Sequence, residues 1–267
     1  MKVECKNNFK IFYSFLNRGI SLKVHEAFNF AQNNATEYFK KFNGDNMAVR
    51  AHDNAVWVVA KSRIHFCQDV SWLDEIYGET YTTSVKPIRV ETETKFTREN
   101  GDLVFVATHQ HCPLNMDTRR IIKVGEITFP EDMDIDQSLF NDDYSRLHDS
   151  FDENDFVYEQ KVYSQDIDFS NHVNNVAYVR FIMNALTNDY IESIKITDAE
   201  IHYLAESKEG QVLKIYKKDV EENTMRFLIK EGEREIIRAS IKFMRKWFLD
   251  VSQKSSCNRS EYEAGKN

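Results

Sequence analysis

An α+β fold built from two copies of one unit is what this sequence predicts, on three observations. Two helical stripes lie far apart in the chain, each followed by alternating strands and a hairpin closed at a glycine. A strongly acidic stretch separates them. The chain is long enough for one large domain or two small ones.

The elements follow in order. Leu22, Phe28, Ala31, Ala35, Tyr38 or Phe39, and Phe42 recur at helical spacing. Lys61-Ser62-Arg63-Ile64-His65-Phe66 reads as a strand, and Glu99 to Thr108 as a hairpin whose Asn100-Gly101 pair favours the left-handed conformations of a tight turn. Residues 131–155 then hold ten acidic residues and one basic residue, Arg146, so self-repulsion predicts an extended linker. In the second half, Val176, Val179, Met183 and Leu186 mark a helix that begins near Asn174. Asp198 to Tyr203 takes the place of the first strand. Val212 to Lys217 alternates apolar and polar residues, and Lys230 to Ser240 is a second hairpin, turning at Gly232. The expected domains are 1–130, the linker 131–155, 156–250, and a polar tail 251–267 that frays.

Composition narrows the class. With 42% hydrophobic and 29% charged residues, the chain has the make-up of a soluble protein with an ample core. No run matches the apolar length of a membrane helix, and the start has no signal-peptide core, so no membrane insertion is expected. Cys5, Cys67, Cys112 and Cys257 fall in no paired spacing, which suits a reducing cytoplasm. A net charge of −8 argues against nucleic acid as partner.

The richest segment is Asp166-Ile167-Asp168-Phe169-Ser170-Asn171-His172-Val173-Asn174-Asn175, which leads into the second helix. A helix start offers unpaired N–H groups that can hold an oxyanion, and a histidine just upstream can move a proton. Capping the helix alone would need only one of these side chains, and that reading stands beside the functional one. His109-Gln110-His111-Cys112, with His65 and Cys67, has the residue types of a metal site. Strand alternation, however, splits Cys112 from the two histidines, so no metal is expected. Lys40-Lys41 and Arg119-Arg120 read as solvated faces.

The order of elements, together with Asp-Phe-Ser-Asn-His-Val-Asn-Asn-Val-Ala-Tyr at 168–178, resembles the acyl-acyl-carrier-protein thioesterases of plants and bacteria from about Ile11 to Trp247. The resemblance implies a tandem double hot-dog, each half a curved antiparallel sheet around a long helix. It implies hydrolysis of fatty acyl-acyl-carrier-protein thioesters, with no cofactor. The family pattern Asp-x-Asn-x-His, completed by a Glu about 34 residues later, falls on Asp168, His172 and Glu206, with Ser170 where the family has Asn. Asn171 is a neighbour able to substitute for that amide. Ser207 stands where many plant members carry Cys, so no Cys–His nucleophile carries over.

Thioester hydrolysis needs a placed water, a base and oxyanion donors. Glu206 is the better base, His172 the group that polarises the carbonyl or protonates the thiolate, and Asp168 the anchor of the loop and the His ring. Asn171, Asn174 and Asn175 are placed at the substrate, and Trp57 bounds the acyl tunnel if it is not simply core. Residues 207–246 hold eleven Lys and Arg against seven Asp and Glu, a local +4 that could steer an acidic carrier despite the global sign. A homodimer stays open. So do two other functions: a hot-dog hydrolase of coenzyme A esters and a non-catalytic acyl-binding protein.

Overall fold

In the computed structural model, residues 1–246 are described, and the expected tail 251–267 lies outside them. The first half runs β1 (Lys6–Lys10), α1 (Val24–Lys40), α2 (Asn46–Asp53), β2 (Ala55–Phe66), β3 (Glu75–Lys86), β4 (Arg89–Thr97) and β5 (Leu103–Asn115). The second runs β6 (Phe156–Lys161), α3 (Asn175–Met183), α4 (Asn188–Ser193), β7 (Ile194–Tyr203), β8 (Val212–Glu221), β9 (Thr224–Glu231) and β10 (Arg234–Arg245).

All ten strands form one sheet in the order β1-β3-β4-β5-β2-β7-β10-β9-β8-β6. Reading outward from the centre, the two halves are the same: β2, β5, β4, β3, β1 on one side and β7, β10, β9, β8, β6 on the other. They join where β2 and β7 run antiparallel, from Lys61 opposite His202 to His65 opposite Asp198. Register slips at Val59/Lys61, Thr82/Ser84, Asp219/Glu221 and Lys242/Phe243 leave unpaired residues that bend the strands and curve the sheet. The tandem hot-dog architecture is therefore present.

The helices fill the concave face. α1 buries Ala27, Phe28, Ala31, Ala35, Tyr38 and Phe39, much of the stripe legible in the sequence, while Leu22 and Phe42 sit just outside its ends. α3 is half as long, stopping at Met183, and it buries Ala177, Tyr178, Val179, Phe181 and Ile182. Leu186 has already left the helix. α1 and α3 pack against each other in a core shared by both halves, with Ile64, Phe96, Phe105, Ile201, Phe227 and Ile241 beneath them. No helix among the described residues is long and apolar enough to cross a membrane.

Some buried groups near α1 are polar and hydrogen-bonded. Asn34 donates to the Thr80 hydroxyl (2.7 Å), the Tyr38 and Thr82 hydroxyls lie 2.9 Å apart, and the His111 ring meets Thr92 at 3.0 Å. His109 sits beside Ser62 at 2.8 Å. Burial pushes His109 down to about 4 and His111 also downward, so both rings are neutral threads of the interior hydrogen bonding.

The acidic segment 131–155 has no strand or helix up to Asp152, yet it is strapped to the sheet rather than loose. Buried Glu93 accepts from the Leu139 N–H (2.9 Å) and the Ser138 hydroxyl (2.6 Å), and Glu200 accepts from the Ser145 N–H (2.8 Å) and hydroxyl (3.0 Å). Burial works to raise the Glu200 carboxyl, but hydrogen bonds from His202 and Ser145 outweigh it and hold it below its usual range. Arg63 grips Asp142 through its side chain (3.1 Å) and carbonyl (2.9 Å) and stacks on the rings of Phe140 and Tyr144. Each ring contact contributes about 0.5–2 kcal/mol. Arg63→Ala should therefore raise amide exchange across residues 138–147 about tenfold, at about 1.4 kcal/mol per factor of ten. Exchange in β2 and β5 should stay as in the parent. Unchanged exchange in the strap would show that the glutamates hold it alone.

Candidate active site

The loop before α3 is built by its backbone. The Asp168 N–H donates to the His172 carbonyl at 2.9 Å, and the Asn171 N–H to the Asp168 carbonyl at 3.0 Å. Asn171 carries the turn in a left-handed conformation, φ 63°, which Asn tolerates better than most residues. Asn174 caps the helix, its side-chain oxygen accepting the Val176 N–H at 2.9 Å. The Asn175 N–H, in the first turn, makes no hydrogen bond among the described residues. Below the loop, buried Asp166 takes the Tyr163 N–H (2.9 Å), pairs with the Arg180 guanidinium, and offers its carbonyl to the Asn174 N–H (2.8 Å).

A second segment is zipped to this loop. Past the end of β7, the Leu204 and Ala205 N–H groups both turn to the Ile236 carbonyl, and the Ser207 carbonyl accepts from the Val173 N–H at 2.9 Å. That hydrogen bond sets Glu206 beside His172: Nε2 of the ring lies 3.1 Å from Oε2 of the carboxylate. The two are 34 positions apart in the sequence. Arg119, at the turn after β5 in the first half, pairs with the same carboxylate oxygen, and Arg234 donates to the Glu206 carbonyl at 2.9 Å. Glu206 Oε1 has no hydrogen bond among the described residues.

The other expected residues divide. Asp168 Oδ1 accepts both the backbone N–H (2.9 Å) and the hydroxyl of Ser170, so it holds the loop as expected. The partner of the His172 ring is Glu206, however, and no hydrogen bond joins Asp168 to that ring among the described residues. Ser170 spends its hydroxyl on Asp168. The Asn171 side chain is exposed. Trp57 stands apart, buried against Phe39, Phe42 and Phe129, with its indole N–H donating to the Gly44 carbonyl at 2.8 Å. Ser207, in the position of the absent Cys, is fully buried against Tyr178, whose hydroxyl burial pushes up to about 12. Arg119 and Arg234 went unnoticed as site residues. Arg119 read as solvated because nothing within 87 positions of sequence links it to Glu206.

This geometry sits in a chain whose relatives can be placed. The acyl-ACP thioesterase N-terminal domain profile matches residues 2–129, and the C-terminal domain profile matches residues 149–245. The chain belongs to the acyl-ACP thioesterase family. Its fold is that of an acyl-ACP thioesterase from Bacteroides thetaiotaomicron (20% identity, TM-score 0.82, covering 90% of this chain and 97% of that one). It is also that of a 12:0-ACP thioesterase from Umbellularia californica (18% identity, TM-score 0.80, covering 92% and 98%). No curated protein sequence matches the chain significantly. As an acyl-ACP thioesterase family member, the protein is a thioester hydrolase acting on fatty acyl chains.

The left-handed turn gives a direct check on the loop. Asn171→Gly should be tolerated, whereas Asn171→Val, a β-branched residue forced to positive φ, should lower unfolding free energy by about 1–2 kcal/mol in urea denaturation. Equal stability of the two variants would mean the loop can abandon this turn.

Proposed function

We propose that the protein hydrolyses fatty acyl thioesters borne on acyl carrier protein, at the site formed by the start of α3 and the segment after β7. The observation that carries this reading is the His172–Glu206 pair at 3.1 Å, made across 34 residues by one backbone hydrogen bond.

In this reading Glu206 is the base. His172 and Arg119 hold Oε2, which leaves Oε1 to take a proton from water as that water attacks the thioester carbonyl. The oxyanion forms at the helix start, where the Asn175 N–H is unspent and the helix dipole favours negative charge. Collapse of the tetrahedral intermediate breaks the C–S bond. The leaving thiolate takes a proton from His172, and the ring regains it from the protonated Glu206, so both groups end as they began. Asp168 and Ser170 act on the loop rather than on the reacting atoms, and a thioester is activated enough to need no protein nucleophile.

The surface around the site suits an anionic carrier. Arg119 and Arg234 meet at Glu206, one from each half of the chain. The wider basic excess of residues 207–246 is less available than its count suggests. Arg226 pairs with Asp149 and Lys218 with Asp155 of the acidic strap, while Arg238 holds both Glu235 and the Asp149 carbonyl. These pairings favour a docking face at Arg119 and Arg234 over one along β8 and β10.

Three measurements test the assignment. Product analysis by mass spectrometry, after incubation with matched acyl-carrier-protein and acyl-CoA panels, should show free fatty acid mainly from the carrier substrates; preference for CoA esters would move the protein to that class. His172→Ala and Glu206→Gln should each lose at least about a hundredfold in kcat/KM at unchanged melting temperature, the usual contribution of a placed acid or base. Near-normal turnover in either removes that residue from the mechanism. Arg119→Met should raise KM for carrier substrates and its salt dependence should flatten, since a charge that steers docking has been removed.

A further inference from the structure

The first half contains a backbone copy of the catalytic loop. The Asn17 N–H donates to the Ser21 carbonyl at 2.9 Å and the Ile20 N–H to the Asn17 carbonyl at 3.0 Å, as Asp168 and Asn171 do in the second half. Ile20 repeats the left-handed turn at φ 59°. Leu16 bridges Leu22 as Ile167 bridges Val173, and the Lys23 N–H reaches the Phe15 carbonyl at 2.9 Å as Asn174 reaches Asp166 at 2.8 Å. Asn17 thus stands for Asp168, Gly19 for Ser170 and Ser21 for His172.

The base has its counterpart too. Cys67 and Gln68 both donate to the Val104 carbonyl, as Leu204 and Ala205 do to Ile236. Two residues on, Arg98 donates to the Asp69 carbonyl at 2.8 Å, as Arg234 does to Glu206 at 2.9 Å. Asp69 therefore takes the place of Glu206, with its carboxylate held by Lys195 at 2.8 Å. An amide, a hydroxyl and a lysine-bound aspartate cannot run the proton transfers of the other site.

What this copy keeps is space. A cavity of about 830 Å³ opens on it, within the range of small-molecule sites. It exists because α3 stops at Met183, whereas α1, its counterpart, continues for 17 residues. Leu22, Val70, Phe105, Met183 and Leu186 form apolar walls, and Asn17, Lys23, Asp69 and Lys195 are polar groups among them. None of Asp168, His172 or Glu206 lines it. It lies at the far end of α3 from His172, about 12 Å away at 1.5 Å per helical residue. Among the described residues Lys23 is paired with no carboxylate, its ammonium donating only to the Ser14 carbonyl at 2.8 Å. The neighbouring His25 is held down at about 4, chiefly by burial, with smaller contributions from the charges of Lys23 and Arg180.

We propose that this cavity is a second acyl site without hydrolytic groups, which binds a free fatty carboxylate with its chain between the helices and its head group at Lys23. The inference rests on the reading of the second-half loop as the thioester site, since the copy inherits its acyl bed from that arrangement.

The probe is dodecanoate labelled with ¹³C at the carboxyl, titrated into the full-length protein and followed by NMR. The parent and His172→Ala should both show a bound equivalent that Ala185→Trp, which fills the cavity, removes. Lys23→Glu should weaken that equivalent severalfold, and dodecanol should compete for it poorly. Hydrolysis by Ala185→Trp should keep its rate and chain-length profile. Full binding by a folded Ala185→Trp would overturn the proposal, and so would a shifted chain-length profile, which would make the cavity the end of the reactive tunnel. If Ala185→Trp does not fold, crystals of the parent soaked with 12-bromododecanoate decide: bromine between Leu22 and Leu186 supports the site, and bromine only beside His172 refutes it. Hydrolysis with an empty cavity removes the second site alone. A filled cavity in a protein that hydrolyses no thioester removes the functional reading alone.

Discussion

The antiparallel ladder between β2 and β7 is the contact on which the rest of this structure depends. It fuses two five-stranded sheets into one, and a curved ten-stranded sheet has a single concave face. Both helices bury apolar residues on that face, so α1 and α3 share a core, while the first half adds a smaller cluster of its own around Phe39 and Trp57. The ladder also puts the two chain halves at opposite hands of an approximate twofold axis. A turn after β5 thereby reaches a carboxylate after β7, and Arg119 meets Glu206 across the halves.

Duplication followed by divergence explains the division of labour within that frame. The two loops before α1 and α3 retain the same hydrogen bonds and the same left-handed residue, so backbone geometry has been kept where side-chain chemistry has not. Length has diverged as well. The long α1 carries Tyr38 and Phe39 deep over the first sheet, whereas the short α3 leaves its far end open. The start of α3 carries the His172–Glu206 pair, while its far end leaves a cavity.

The acidic strap shows how an unfavourable charge pattern can still be ordered. Ten acidic residues in 25 repel one another, and no regular element forms up to Asp152. Buried carboxylates of the sheet accept its backbone N–H groups, and arginines of the sheet take its side chains. The same contacts use up positive charge that would otherwise face solvent on the second half.

By itself the sequence determined the duplicated α+β order and the helix start at Asn174, which are local or periodic features written in spacing, turn residues and caps. The extent of α1 and the second hairpin were legible for the same reason, while the short helix α2, capped by Asp45, was not singled out. Asp168, His172 and Glu206 were lined up by the chain's resemblance to a known family. Only the tertiary structure decided that Glu206 and not Asp168 meets the His172 ring, that Arg119 pairs with Glu206, and that Trp57 packs in a separate cluster. It alone decided that the first half keeps a stripped copy of the loop over an open cavity. Those are pairings between residues tens of positions apart, set by how two sheets join and where a helix stops. No pattern along the chain encodes them until the strands have chosen their partners.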